Sequence, residues 1–239
     1  MSRFKSIINI TIYNIFPIIV QIIFAFYIKA KFASLSADQM QSKLVDTLGS
    51  IQGMAIMMIP TLMIIILLNY KYLRKKIHKS FENIKETFKY GLIGYIIMTF
   101  AIVVFSILVQ LMQIDVSEAE NQQVVNNMMS GASTLTIILV IGLIVPFLEE
   151  LIFRMSIAGL LIKDKVSKSW LPYIIMALIF ALIHENSFIT NFSVEAVVNF
   201  LTYLIPSLTL SFVYKVSNHN IIATYIMHIL NNVIPSIFY

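Results

Sequence analysis

Glu149 and Glu150 stand side by side in a stretch otherwise built for lipid, Ile137-Ile-Leu-Val-Ile-Gly-Leu-Ile-Val-Pro-Phe-Leu-Glu-Glu-Leu-Ile-Phe-Arg154. A charged side chain at the centre of a bilayer costs roughly 3 kcal/mol on insertion scales, so two carboxylates and a guanidinium at that depth point to a functional site. Two later apolar stretches carry His184, and His228 with Asn231 and Asn232. A carboxylate and an imidazole facing one water molecule can deprotonate it for attack on a carbonyl. A second imidazole and a carboxamide can donate hydrogen bonds to the oxyanion that results. Hydrolysis of a peptide bond inside the membrane is the reaction these groups suit. Zinc is the competing version, because Glu149, His184 and His228 have the ligand types of a catalytic site. The run His184-Glu185-Asn186-Ser187-Phe188 lacks the second histidine of an HExxH motif, which favours the metal-free version.

Spacing divides the labour. Glu150 and Arg154 are four apart and share a helix face, so they pair along it, as a buried charge requires. Glu149 lies about 100° around the helix and is the carboxylate left for chemistry. Pro146 cannot donate to the carbonyl of Gly142, which predicts a kink one turn before the glutamates. If the helices begin at the basic loops, Glu149 and His184 each lie about 20 Å in and His228 about 14 Å, with Asn232 one turn deeper. The groups can then meet in one cavity, reached from the basic side. Each has a plainer reading, since a lone intramembrane histidine or asparagine commonly glues helices together and a Glu–Arg pair can be a brace. A free carboxylate, two imidazoles and an amide on three helices at similar depth outweigh those readings.

The elements that must hold these residues are membrane helices. The 239-residue chain is 59% hydrophobic and 12% charged, where a soluble domain is about a quarter charged. There is no cysteine, so disulfides and thiol chemistry are excluded. Stretches of about 20 apolar residues occur near 7–29, 49–70, 91–114, 133–162, 171–189, 194–214 and 219–238. No cleavable signal peptide is expected at the first of them. The fold expected is all-α, a polytopic bundle of about seven transmembrane helices forming one domain over 1–239.

The net charge of +5 is distributed as membrane topology dictates and does not argue for nucleic acid. Arg3 and Lys5, the block Lys71, Arg74, Lys75, Lys76, Lys79, Lys85 and Lys89, then Lys163, Lys165, Lys168 and Lys215 all fall on one side. By the positive-inside rule that side is the cytoplasm, which places the N-terminus inside and the C-terminus outside. Lys29, Lys31 and Lys43 fall on the other side, with Asp115, Glu118 and Glu120. Tyr72, Leu73, Ile77, Phe81, Ile84 and Phe88 recur at helical spacing among the lysines, which predicts an interfacial amphipathic helix over 71–90.

Three motifs in order resemble the CPBP family, the CAAX proteases and bacteriocin-processing enzymes also called Abi. Glu149-Glu150-Leu-Ile-Phe-Arg154 matches EExxxR, Phe180-Ala-Leu-Ile-His184 matches FxxxH, and His228-Ile-Leu-Asn231-Asn232 matches HxxxN. The resemblance covers about 133–236. It implies an intramembrane endopeptidase of the type II CAAX protease kind, with Glu149 and His184 activating water and His228 and Asn232 at the oxyanion. Glu150, Arg154 and Phe180 would support them. Met155 stands where many members have glycine, and the segment before His228 is poor in glycine. The Ile, Lys and Asn richness suggests an AT-rich bacterial genome, hence a bacterial plasma membrane. Relatives there are linked to maturing bacteriocins or peptide pheromones and to self-immunity. The expected partners are the bilayer and a short hydrophobic or amphipathic peptide entering from the cytoplasmic leaflet. A noncatalytic scaffold or immunity protein retaining the motif residues is the rival. A small transporter is a third reading, which no internal repeat favours.

Overall fold

A computed structural model describes residues 1–32, 34, 36–162 and 169–237. Lys163, Lys165 and Lys168 of the predicted basic side lie outside the described residues. Among the described residues there are ten helices and no strand. They are α1 (Arg3–Lys31), α2 (Ala37–Leu48), α3 (Ile51–Glu82), α4 (Ile84–Leu111), α5 (Glu120–Met129), α6 (Thr134–Leu161), α7 (Leu171–His184), α8 (Ser187–Thr190), α9 (Val194–Val216) and α10 (Ile221–Ile237).

The chain is thus an all-helical membrane protein. Five helices, α1, α3, α4, α6 and α9, are long and apolar enough to cross a bilayer, while α7 and α10 are apolar but shorter, at 14 and 17 residues. Each of the seven expected apolar stretches is largely helical among the described residues, but two of the helices fall short of a full crossing by length. The predicted amphipathic helix over 71–90 is not a separate element. Its first part continues α3 without a break to Glu82, and α4 starts after Asn83. Nothing between Tyr70 and Glu82 stops a helix, since that stretch holds neither glycine nor proline.

Two helices arise between the apolar stretches, α2 and α5. α2 begins at a capping box in which Ser36 Oγ accepts from Gln39 N at 3.3 Å and Ser36 N donates to Gln39 Oε1 at 3.0 Å. α5 and the residues before it are held by α9, where Glu195 accepts from Ser117 and Tyr203 Oη accepts from Asn121 Nδ2 at 3.3 Å.

Cross-links define the two ends of the bundle. At the lysine-rich end Lys5 Nζ donates to Leu68 O, Ser80 Oγ to Asn220 Oδ1, and Lys215 Nζ to Ser169 O, at 2.7–3.1 Å. At the other end lie α2, α5, α8 and the start of α9. Close packing replaces the hydrophobic effect as the cohesive force between helices in lipid. Gly94 of α4 shows how tight it is: a Cβ there would sit 2.5 Å from Val213 Cγ2 and 2.9 Å from Met227 Sδ.

Candidate active site

α6 carries the charged residues, and its backbone is not a plain α-helix. π-helical turns run over Ile138–Ile144 and Leu151–Ile157, flanking a short α segment, Val145–Glu150. Wide turns of this kind recur at functional sites. Pro146, where a kink is expected, lies just beyond the first of them. In a five-residue register the missing N–H of Pro146 would have bonded Ile141 O, and Asn232 Nδ2 of α10 donates to that carbonyl instead, at 3.1 Å. Tyr225 Oη of α10 takes Leu143 O at 3.1 Å. In the second π segment Ser156 Oγ donates to Leu151 O at 2.9 Å and accepts from Asn9 Nδ2 at 3.0 Å; Asn69 Nδ2 donates to Asn9 Oδ1 at 2.8 Å. Side chains of α10, and Ser156 backed by Asn9 of α1 and Asn69 of α3, therefore supply hydrogen bonds to carbonyls of the wide turns, because lipid offers none.

The ionisable residues converge between the two π segments. Glu149 lies between both histidines, its Oε1 3.5 Å from His184 Nε2 and its Oε2 3.4 Å from His228 Nε2. Glu150 is fully buried and does two things. Its Oε1 lies 3.2 Å from Arg154 Nη1 and 3.0 Å from His228 Nδ1. The spacing argument anticipated the first contact and not the second. The Arg154 contact is an ion pair without the alignment of a hydrogen bond. The rings of Phe153 and Phe180 flank its guanidinium, with centroids at 5.8 and 5.4 Å.

Both imidazoles are oriented from behind. His184 Nδ1 lies 2.9 Å from Phe180 O. A carbonyl only accepts, so Nδ1 carries the proton and Nε2 is turned towards Glu149. The ring is stacked on Phe180 at 4.1 Å between centroids and is met on another side by Tyr203 at 5.4 Å. His228 is set by Nδ1–H donation to Glu150, leaving Nε2 for Glu149, in the manner of a carboxylate that fixes a histidine's tautomer. Asn232 also lines the cavity, with Nδ2 on Ile141 O and Oδ1 accepting from Asn231 Nδ2 at 3.1 Å.

A cavity of about 410 Å³ contains Glu149, His184, His228 and Asn232. Its walls are apolar, from residues such as Met58, Val145, Leu148 and Leu210, and its rim is made of amides on α5, Asn121, Gln122 and Asn126. It thus extends towards α5, away from the lysine-rich end, which corrects the expectation of access from the basic side. Below the glutamates the lysine-rich end is filled by packed side chains, among them Leu73, Phe153, Tyr173, Met176, Tyr214 and Ile221. Helix depth alone could not show which end was packed shut.

Sequence reasoning missed Tyr203 and the α5 amides. Neither belongs to a charged motif, and only tertiary placement brings them to the histidines. Among the described residues no three His, Asp or Glu side chains are grouped with the geometry of a metal site. Glu149, His184 and His228 are those with suitable chemistry.

Fold and site together define a polytopic helical membrane protein with a carboxylate–imidazole cluster in its interior. Residues 131–234 match the family model described as type II CAAX prenyl endopeptidase Rce1-like. The segment holding every residue of the cluster thus matches the model of a protease family, in line with its motifs. No curated protein and no solved structure matches the chain.

Proposed function

We propose that this protein is an intramembrane endopeptidase in which Glu149 activates water for attack on a peptide carbonyl. The observation that carries the reading is the position of Glu149, whose two oxygens each meet a different imidazole Nε2, at 3.4 and 3.5 Å, on the wall of a 410 Å³ cavity. Water hydrogen-bonded between Glu149 and His184 loses its proton to the carboxylate as its oxygen bonds the carbonyl carbon. The oxyanion takes a hydrogen bond from His228 Nε2 in its doubly protonated form, with Nδ1–H held on Glu150, and from the second amide hydrogen of Asn232. Glu149 then delivers the proton to the leaving amine as the C–N bond breaks. Glu150 and Arg154 act by holding His228.

The substrate proposed is a hydrophobic or amphipathic peptide whose apolar side chains meet the cavity wall and whose backbone reaches the α5 amides. The lysine-rich end is assigned to the cytoplasm, so the cavity faces the outer half of a bacterial plasma membrane. Candidate substrates are bacteriocin or pheromone precursors.

The test is cleavage of a peptide library by the purified protein in nanodiscs. Glu149→Gln should lower turnover by about 100-fold or more while the thermal unfolding profile stays that of the wild type. Unchanged turnover in that variant would move the protein to the scaffold reading. A zinc-dependent reading is kept by one observation, the convergence of two Nε2 atoms on a carboxylate. Activity that falls on exhaustive chelation and returns with zinc would favour it.

A further inference from the structure

A second cavity, of about 250 Å³, opens at the lysine-rich end, between the end of α3, the start of α4 and the α9–α10 turn. It is separate from the proposed active site and shares none of its residues. Its wall is lined by Lys76, Lys79, Asn83, Ser217 and His219, with Asn83 Nδ2 donating to Lys79 O at 3.2 Å and Ser217 Oγ to Tyr214 O at 3.4 Å. Lys76 is half-buried, and its polar contact is one long bond, Nζ to His219 O at 3.4 Å. Among the described residues no carboxylate lies within ion-pairing distance of Lys76 or Lys79. Glu86 is the acid on the cavity wall, and it faces Lys89 at 3.4 Å.

A charge withdrawn from water calls for a counter-charge. Two ammonium groups beside polar side chains, around a space of this size, present the pattern that binds a phosphate group. The turn that closes the cavity is held in an uncommon conformation, with Asn218 and His219 at φ +58° and +63°. The pocket is nonetheless braced. Asn220 Nδ2 donates to Thr87 Oγ1 at 2.8 Å, and Thr87 Oγ1 donates to Ser80 O at 2.9 Å, so α3, α4 and the turn form one frame.

We propose that this cavity is a binding site for a phosphate group, with Lys76 and Lys79 as its cationic ligands. Its place at the end of the membrane helices suits the phosphodiester of an anionic phospholipid, and free phosphate shares the same chemistry. A lipid bound there would clamp α3 and α4 to the turn that leads into α10, the helix carrying His228.

Native mass spectrometry of the full chain, released from nanodiscs mixed from phosphatidylglycerol and phosphatidylcholine, tests the site. One phosphatidylglycerol per chain should stay bound to the wild type, and retention should fall roughly fivefold for each lysine removed in Lys76→Gln and Lys79→Gln. The charge-preserving pair Lys76→Arg and Lys79→Arg should retain the lipid, which separates lost binding from lost folding. Titration with inorganic phosphate, followed by the ring proton signals of His219, distinguishes the source. Saturation at millimolar phosphate in the wild type and not in the glutamine variants, without lipid retention, would assign the site to free phosphate. Equal lipid retention by wild type and glutamine variants, with no response of His219 to phosphate, would overturn the proposal.

Discussion

Replacing Arg154 by Met removes the guanidinium that faces Glu150 and keeps most of the side-chain volume. Both partners are completely buried, and they meet at 3.2 Å. The carboxylate of Glu150 would keep only its contact with His228 Nδ1, at 3.0 Å. Breaking a buried pair from one side costs about 3–5 kcal/mol, because the remaining charge stays out of water without its counter-charge. The rings of Phe153 and Phe180 lose a cation as well, worth about 1 kcal/mol. A loss of roughly 4 kcal/mol is expected for Arg154→Met. Removing both charges, in Glu150→Gln with Arg154→Met, should return most of it, because paired buried ions are often no more stable than neutral groups of like volume. The assay is reversible unfolding in mixed micelles, read by fluorescence of Trp170, the single tryptophan, which stacks on Phe212 at 5.8 Å between centroids. The double variant should fold yet turn over slowly, because an amide at 150 no longer fixes His228. The reasoning is refuted if Arg154→Met lies within about 1 kcal/mol of the wild type, or if the double variant is no more stable than that single one.

Three further outcomes follow from the packing. Tyr203→Ala removes the ring beside His184 and the hydroxyl that accepts from Asn121; it should lower kcat about 10-fold or more and raise KM, whereas Tyr203→Phe keeps the ring and should affect mainly KM, as steady-state kinetics would show. Gly94→Leu places a side chain where even a Cβ meets Val213 Cγ2 at 2.5 Å and should cost about 3 kcal/mol or more in the same unfolding assay. His219 is shifted below its usual value of 6.5 by burial and then by Lys76 and Lys215. Its Nε2 lies 2.6 Å from Tyr173 Oη, which donates to the neutral ring. Because the unfolded chain takes up this proton more readily, its contribution to stability is complete above pH 6.5 and declines as pH falls below that value. In micelles of a zwitterionic detergent the unfolding midpoint of the wild type should drop more steeply on acidification than that of His219→Gln.

Charges in lipid are rare enough that Glu149, Glu150, Arg154, His184 and His228 announced themselves, and the four-residue step from Glu150 to Arg154 sufficed to foresee their contact. The helix count was harder, because apolar content marks a stretch as buried in lipid without saying how far across it runs. α2 was legible in principle from Ser36 and Gln39, the reciprocal cap that starts it. The π turns were not. A proline signals that a hydrogen bond is missing, but whether the helix bends or widens depends on who takes the freed carbonyl, and Asn232 sits 91 residues away. The contact of Glu150 with His228 and the approach of Tyr203 to His184 are likewise long-range facts. The direction in which the cavity opens depends on packing volume at one end, which residue types at similar depth do not encode.

The packed layer beneath Arg154 has a consequence for the cell. A charged, wettable centre in the middle of a membrane invites protons and small cations to cross, dissipating the gradients that drive transport and ATP synthesis. Here water admitted past α5 meets a dead end of interlocked aromatic and aliphatic side chains. The bundle can therefore keep the cavity of the proposed peptidase wet from one face without short-circuiting the membrane that houses it.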